Sequence, residues 1–126
     1  MRTATTGHLG RRVAPVLLLT GVLALAGAGC GTKTVHRSIN AALVNGAAGF
    51  TPANITVDKG DKVQLKVGNT TTAAHGFTIE GYPSVKPQVE QPNQPILLKF
   101  TASKAGTFTI RCQLHPRHQP ATLVVR

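Results

Sequence analysis

The residues best suited to chemistry are one cysteine and two histidines in the second half of the chain. Cys112 and His115 stand three residues apart on a short segment stiffened by prolines at 116 and 120, and His75 lies upstream. One thiolate and two imidazoles form a donor set for a soft or borderline metal ion, and a Cys and a His three apart on a tight loop can bind the same ion. The pattern therefore predicts a metal site formed by His75, Cys112 and His115.

The segments that carry these residues alternate between apolar and polar positions, as half-buried strands do. Phe108 and Cys112 share one face of their segment, and His75 shares a face with Phe77. Because the apolar face of each strand must point inward, the thiol and the imidazole both enter the interior at a strand end. Neither strand alone predicts that the two groups meet, so the fold has to bring them together.

The rest of the chain after residue 38 also consists of short apolar segments separated by glycine, proline and polar turns. Residues 39–45 are too short to assign, and residues 83–95 form a proline-rich connection. This punctuation predicts an all-β protein, a Greek-key β-sandwich of about seven to eight strands. The clearest strand predictions are residues 52–57, 62–67, 75–79, 96–101, 107–112 and 121–126.

Residues 50–126, about three-fifths of the chain, resemble a small bacterial cupredoxin of the plastocyanin and amicyanin kind. The resemblance implies a copper-binding Greek-key sandwich that transfers single electrons, with His75, Cys112 and His115 as the copper ligands. The shared features, in order, are Phe50-Thr-Pro, Ile55-Thr-Val, Gly60-Asp-Lys-Val63, Asn69, His75-Gly-Phe77, Gly106-Thr-Phe108 and Cys112-x-x-His115-Pro.

The position three residues after the loop histidine departs from that family pattern. The family has an axial methionine there, whereas this chain has His118, and its one methionine is Met1. An imidazole is a stronger donor than a thioether, so a bound His118 would favour Cu(II) and lower the reduction potential. Two possibilities stay open: His118 is the axial ligand, or it faces solvent and leaves the axial position empty or held by a backbone oxygen.

Two other interpretations of the same residues are available. One cysteine and three histidines also satisfy the tetrahedral preference of Zn(II). Cys112 beside His115 could act as a thiol nucleophile, but the pair lies on one rigid loop with no recognisable substrate cleft. Two further polar residues are predicted to be solvated, Glu80 because it faces opposite to His75 and His36 because it precedes the domain.

The N-terminal segment predicts export. Arginines precede an uncharged apolar stretch at residues 13–29, which is short for a membrane-spanning helix, and Cys30 follows it in a context that resembles a bacterial lipobox. We therefore expect a signal peptide at 1–29, lipidation at Cys30, a tether at 30–38 and the copper-binding domain at 39–126. A secreted soluble form, an uncleaved anchor and export by the twin-arginine route are the alternatives.

The chain has two cysteines, so a lipidated Cys30 would leave Cys112 without a disulfide partner. Export favours disulfides, and a lone thiol in such a compartment needs a reason to survive. Metal ligation is one reason, and burial as a small apolar residue is the other.

The chain is basic, with a net charge of +10. The basic residues are scattered singly and aromatic residues are few, which argues against nucleic-acid binding. A solvated basic surface is the simplest interpretation, and docking on an acidic redox partner or on anionic lipid headgroups is the alternative.

Together these features predict a membrane-anchored electron-transfer protein at the cell surface or in the periplasm, and not an enzyme. Its partner would be a redox protein. The alternatives are copper buffering, delivery or sensing with a copper-handling partner, and a red-copper-like site that binds small molecules.

Overall fold

The structure is a computed structural model that describes Thr3 and residues 31–126. The described residues form nine β-strands. None of them belongs to a helix that could cross a membrane. The predicted signal peptide at 1–29 and the predicted lipidation site at Cys30 lie outside the described residues. The strands are β1 (Thr34–Val44), β2 (Ala47–Thr51), β3 (Asn54–Val57), β4 (Lys62–Asn69), β5 (His75–Ile79), β6 (Gln88–Glu90), β7 (Ile96–Thr101), β8 (Gly106–Arg111) and β9 (Ala121–Val125).

The strands form two mixed sheets that pack face to face. One sheet has the order β2-β1-β4-β7 and the other has the order β3-β9-β8-β5-β6. The pairs β1–β4 and β3–β9 are parallel, and the remaining pairs are antiparallel. The predicted all-β sandwich is confirmed, and the six predicted strands correspond to β3, β4, β5, β7, β8 and β9. The structure has three more strands than these, which are β1, β2 and β6.

Strand β1 begins at Thr34, inside the segment predicted as a tether at 30–38 and ahead of the predicted domain boundary at residue 39. Val35 and Ile39 point inward and are buried, as alternation requires. Arg37 has the same parity as these two residues, but its side chain is exposed and donates to the carbonyl oxygen of Thr56 in β3 at 3.0 Å. A charged, exposed residue between the two buried ones interrupts the alternation, so the strand is inconspicuous in the sequence.

The two other unpredicted strands depend on local turn chemistry and on pairing. Asn45 and Gly46 both have positive φ and connect β1 to β2 as a tight hairpin, which Asn-Gly favours. Strand β6 has three residues and lies within the proline-rich connection at 83–95, where it pairs with β5. It is a strand because β5 offers it a free edge, and its own sequence carries little signal.

The core lies between the two sheets and is filled by inward side chains from both. At one end of the sandwich, Asn69 at the end of β4 donates hydrogen bonds to the carbonyl oxygens of Ala73 and Glu90, at 2.7 and 3.1 Å. This links the end of the first sheet to β6 of the second. The opposite end holds the start of β1, the start of β4 and the end of β9. The largest fully buried side chains are Phe77, Ile39, Leu65, Ile110, Leu123 and Glu90.

Candidate metal centre

The antiparallel pairing of β5 with β8 brings the predicted donors to one end of the sandwich. Ile79 lies opposite Ile110 in this pair, so the start of β5 and the end of β8 lie at the same edge. His75 is the first residue of β5, and Cys112 directly follows β8. His115 lies three residues further along the loop that leads to β9.

The donor atoms of His75, Cys112 and His115 all lie within 4.8 Å of one another. The Sγ atom of Cys112 is 3.9 Å from Nδ1 of His75 and 3.5 Å from Nδ1 of His115. With metal–sulfur and metal–nitrogen bonds of about 2.3 and 2.0 Å, tetrahedral to trigonal angles require separations of roughly 3.5–3.7 Å. The observed Sγ–Nδ1 separations of 3.9 and 3.5 Å lie close to this range, so the three donors are grouped closely enough to share a single ion.

The three donors differ in their exposure. His75 and Cys112 are buried, whereas His115 is exposed. Burial lowers the pKa of His75, and the neighbouring charge of His115 lowers that pKa further. Metals bind the neutral imidazole, so this environment favours the form of His75 that binds.

A backbone N–H also points at the thiol. Gly76 donates to Sγ of Cys112 at an N···S distance of 3.1 Å. This hydrogen bond fixes the position of the sulfur, which binds a metal as the thiolate. Cys112 is a free cysteine and is buried.

Gln113 holds the loop against the sheet. Its side-chain amide donates to the carbonyl oxygen of Gln88 in β6 at 2.7 Å and accepts from the hydroxyl of Thr78 in β5 at 2.9 Å. The side chain crosses directly over Gly76, where a Cβ atom would collide with it. Gln113, the residue that follows Cys112, is therefore hydrogen-bonded to two strands at once.

His118 is buried, with 6% of its surface exposed, so the alternative in which it faces solvent is wrong. Its ring lies 4.3 Å from the ring of Phe50 and 4.8 Å from that of His75, measured between centroids. Nδ1 lies 3.1 Å from the carbonyl oxygen of Gln119, so a proton on Nδ1 leaves the lone pair on Nε2.

The Nε2 atom of His118 is buried and has no hydrogen-bond partner. Burial lowers the pKa of His118, and the charge of His75 lowers it further. His118 is nevertheless not a member of the compact group of three donors formed by His75, Cys112 and His115. Its role as an axial ligand stays a prediction.

A buried carboxyl group, Glu90, lies beside the site and was missed by the sequence analysis. It sits directly opposite His75 in the β5–β6 pair and has 0% of its surface exposed. Neither carboxyl oxygen has a hydrogen-bond partner, and burial raises the pKa of Glu90 to about 7. No local signal marks this residue, because a glutamate in a proline-rich connection is normally a surface residue.

The two residues predicted to be solvated are exposed. Glu80 pairs with Arg111 at 2.9 Å on the outer side of the sheet, and His36 is exposed on β1. Neither takes part in the site.

Residues 17–125 match the cupredoxin-like domain family, so the chain belongs to that family. Among curated proteins, none matches the chain by sequence.

Several solved structures share the fold. Auracyanin A, a "blue" copper protein from Chloroflexus aurantiacus, has a TM-score of 0.59 at 18% identity and covers 74% of this chain and 99% of its own. A purple cupredoxin from Nitrosopumilus maritimus has a TM-score of 0.54 at 14% identity, with 71% and 99% covered. A copper nitrite reductase from Nitrosomonas europaea has a TM-score of 0.59 at 19% identity and covers 73% of this chain but 41% of its own.

The cupredoxin fold and the arrangement of His75, Cys112 and His115 together define a copper-binding site. The donor chemistry agrees, because two imidazoles and one thiolate form the trigonal set of blue-copper centres. When bound, copper would supply one-electron redox chemistry, and these three residues would hold it.

Proposed function

We propose that this protein transfers single electrons as an exported, membrane-anchored cupredoxin, and that it is not an enzyme. The observation that carries the proposal is the unequal exposure of the three copper donors. His75 and Cys112 are buried, while His115 reaches the surface. Such a site keeps two of the ligands out of water and still offers one ligand edge to a partner.

The elements around the site support this role because they restrict movement of the ligands. His75 is part of a paired strand, and Gln113 ties the loop after Cys112 to both β5 and β6. The backbone N–H of Gly76 also donates a hydrogen bond to Sγ of Cys112. A rigid donor set keeps similar geometry in both oxidation states of copper, which lowers the reorganisation that electron transfer requires.

The surface around His115 suits a protein partner. Leu114 is 46% exposed, and Pro116 and Arg117 beside the histidine are also exposed. The loop at 112–120 carries no carboxylate. An apolar patch with a positive neighbour favours a redox partner with an apolar contact area and an acidic rim.

The membrane anchor and the location outside the cytoplasm rest on the sequence at 1–30. A basic and then apolar stretch followed by Cys30 supports signal cleavage and lipidation. We place the protein on the outer side of the cell membrane or in the periplasm.

Reconstitution of the chain from residue 31 with Cu(II) tests the proposal. We expect an intense visible thiolate-to-copper band, an electron paramagnetic resonance signal and a reversible one-electron couple. Cys112→Ser should abolish the visible band, because serine offers no thiolate. Absence of the band in the wild type, or its persistence in the variant, would overturn the copper–thiolate assignment. Tight copper binding without a reversible couple would instead indicate copper buffering or delivery.

A cavity beside the loop favours a second candidate function, the binding of small molecules. It has a volume of about 260 Å³ and is lined by Thr109, Arg111, Pro120 and residues of the loop that include His115 and His118. A positive side chain in a small cavity next to the site would suit a small anion. Changes in the copper absorption on adding azide or nitric oxide would support this function, and an unchanged spectrum would argue for electron transfer alone.

A further inference from the structure

The least satisfied buried group in the described residues is the carboxyl group of Glu90. Both of its oxygens are buried without a hydrogen-bond partner. Leaving a carboxyl group buried and unpaired costs several kcal/mol in typical proteins, so such a group points to a missing positive or hydrogen-donating partner. The other carboxylates of residues 31–126 lie elsewhere: Asp58 and Asp61 at the far end of the sandwich and Glu80 on its outer side.

The pairing of β6 with β5 identifies the group that Glu90 faces. Glu90 is the direct cross-strand partner of His75. Side chains of such a pair lie on the same face with Cβ atoms about 4.5–5.5 Å apart, which a glutamate side chain can span. Both residues are buried, so water competes little for either side chain.

Copper binding would create the missing donor. The Nδ1 atom of His75 faces Sγ of Cys112 and is the nitrogen placed to bind the metal. A neutral imidazole that binds a metal through Nδ1 carries its proton on Nε2. The loaded site would therefore present an N–H on His75 and, across the strand pair, a buried carboxyl group with free oxygens.

We propose that Glu90 is a positioning residue for the copper centre, whose carboxyl group accepts a hydrogen bond from Nε2–H of His75. This rests on copper binding by His75. The acceptor fixes the orientation of the ring and makes its other nitrogen a stronger donor. The negative charge also offsets the net positive charge of Cu(II) with one thiolate, so Glu90 stabilises Cu(II) relative to Cu(I).

Two variants separate the charge of Glu90 from its hydrogen bond. Glu90→Gln keeps the shape and an acceptor oxygen but removes the charge, whereas Glu90→Leu removes both. At a pH of about 8, we expect Glu90→Gln to lower the affinity for Cu(II) relative to Cu(I) at least tenfold, which raises the reduction potential by about 59 mV. Glu90→Leu also removes the hydrogen bond, so we expect its affinity for Cu(II) to fall below that of Glu90→Gln, by up to about 100-fold relative to the wild type.

A spectroscopic measurement addresses the hydrogen bond itself. In the diamagnetic Cu(I) form, the Nε2–H of His75 should give a slowly exchanging proton resonance in the wild type. That resonance should persist in Glu90→Gln and exchange rapidly in Glu90→Leu. Since Glu90→Gln alone tests the charge, the proposal remains testable even if Glu90→Leu folds poorly.

Glu80→Gln is the matched control, because it removes the same charge from an exposed glutamate paired with Arg111 on the outer side. We expect it to leave the potential and the proton exchange unchanged. The proposal is overturned if Glu90→Gln shifts the potential no more than Glu80→Gln does. It is also overturned if Glu90→Leu lowers only the stability and leaves copper affinity and proton exchange as in the wild type.

Discussion

At the residue level, the centre combines an obligatory thiolate with histidines in three different environments. His75 is buried and paired across strands, His115 is exposed, and His118 is buried with a free Nε2 atom. The chemistry of the first two with Cys112 defines copper binding. Binding of the metal by His118 would make the centre differ from a blue-copper centre, in which the axial ligand is a weakly bound thioether.

His118→Leu tests the axial role of this residue. If Nε2 of His118 binds copper, its loss removes a donor that favours Cu(II), and the relative affinity for Cu(II) should fall at least tenfold, or about 59 mV in potential. The visible band should also move to longer wavelength as the centre becomes trigonal. Absorption and voltammetry provide the measurement. The control is His36→Leu, an exposed position on β1, and equal results for both variants would rule out ligation by His118.

Glu90 also predicts how the stability of the metal-free protein depends on pH. Its pKa is raised from 4.5 to about 7 in the folded state, so between these values the folded state binds more protons than the unfolded state. The free energy of unfolding should therefore fall as pH rises through this window, by about 1–3 kcal/mol, and level off above it. The lowered pKa values of His75 and His118 act in the opposite sense, because below about pH 6.5 the unfolded state binds the additional protons.

Comparison of the wild type with Glu90→Gln isolates the contribution of Glu90 to this pH dependence, because His75 and His118 are present in both proteins. Urea unfolding of the metal-free proteins from about pH 5 to about pH 8 should show the wild type losing stability relative to the variant. Parallel profiles would show that the Glu90 carboxyl group is solvated in the folded protein.

The sequence predicts the three clustered donors because each has a distinctive type and a defined position on an alternating strand or loop. It does not predict Glu90. The burial of that residue comes from the register of β5 with β6, and register is a property of the folded pair. The burial of His118 likewise depends on packing against Phe50, which is distant in the sequence.

At the level of elements, one side chain ties the loop that carries Cys112 and His115 to two strands. Gln113 bonds to β5 and to β6, and it fits only because Gly76 beneath it has no side chain. The same glycine supplies the N–H that points at Sγ of Cys112. The loop and β5 are therefore coupled at this position.

Gly76→Ala should disrupt this coupling. The added methyl group would displace the exposed amide of Gln113, and the loss of its two hydrogen bonds should cost about 1–2 kcal/mol in the free energy of unfolding. The copper–thiolate band should shift as well, because the loop after Cys112 loses its attachment. Urea unfolding and absorption give the two readouts.

A double-mutant cycle provides the control. Gln113→Ala removes the clash, so adding Gly76→Ala to it should cost much less than adding Gly76→Ala to the wild type. Additive losses would show that Gly76 and Gln113 act independently.

Among the strands, those with strict alternation gave the clearest signal in the sequence. Residues 62–67 and 107–112 alternate cleanly and correspond to β4 and β8. In strand β1 the exposed Arg37 stands between the buried Val35 and Ile39, and β6 is too short to show a period. These two strands form because they can pair with the free edges of neighbouring strands. That pairing is a tertiary effect, which the local sequence pattern does not show.

At the level of the whole molecule, the site and the N-terminal end of the domain lie at opposite ends of the sandwich. Strand β1 runs parallel to β4, and both begin at the end that carries Lys33, Lys62 and Arg126. The copper site lies where β4 ends and β5 begins. A membrane anchor at Cys30 would therefore leave His115 directed away from the membrane.

Cys30→Ser tests the anchor. If Cys30 is lipidated, the full-length protein should fractionate with membranes and the variant should be released in soluble form after export. Loss of the acyl group removes about 0.8 kcal/mol for each buried methylene, which explains a complete change of fraction. Metabolic labelling with a fatty acid provides a second readout, and a wild-type protein that is already soluble and unlabelled would contradict the prediction.

The early start of β1 has a consequence for how the anchored protein would meet its partners. Only residues 31–33 separate Cys30 from the first strand, a reach of about 10–14 Å. The eight residues of β1 that pair with β4 add about 26 Å toward the copper end. The metal would thus be carried at most roughly 35–40 Å above the bilayer. Electron exchange would then favour soluble carriers, or membrane complexes whose own redox groups project to the same height, over partners level with the lipid.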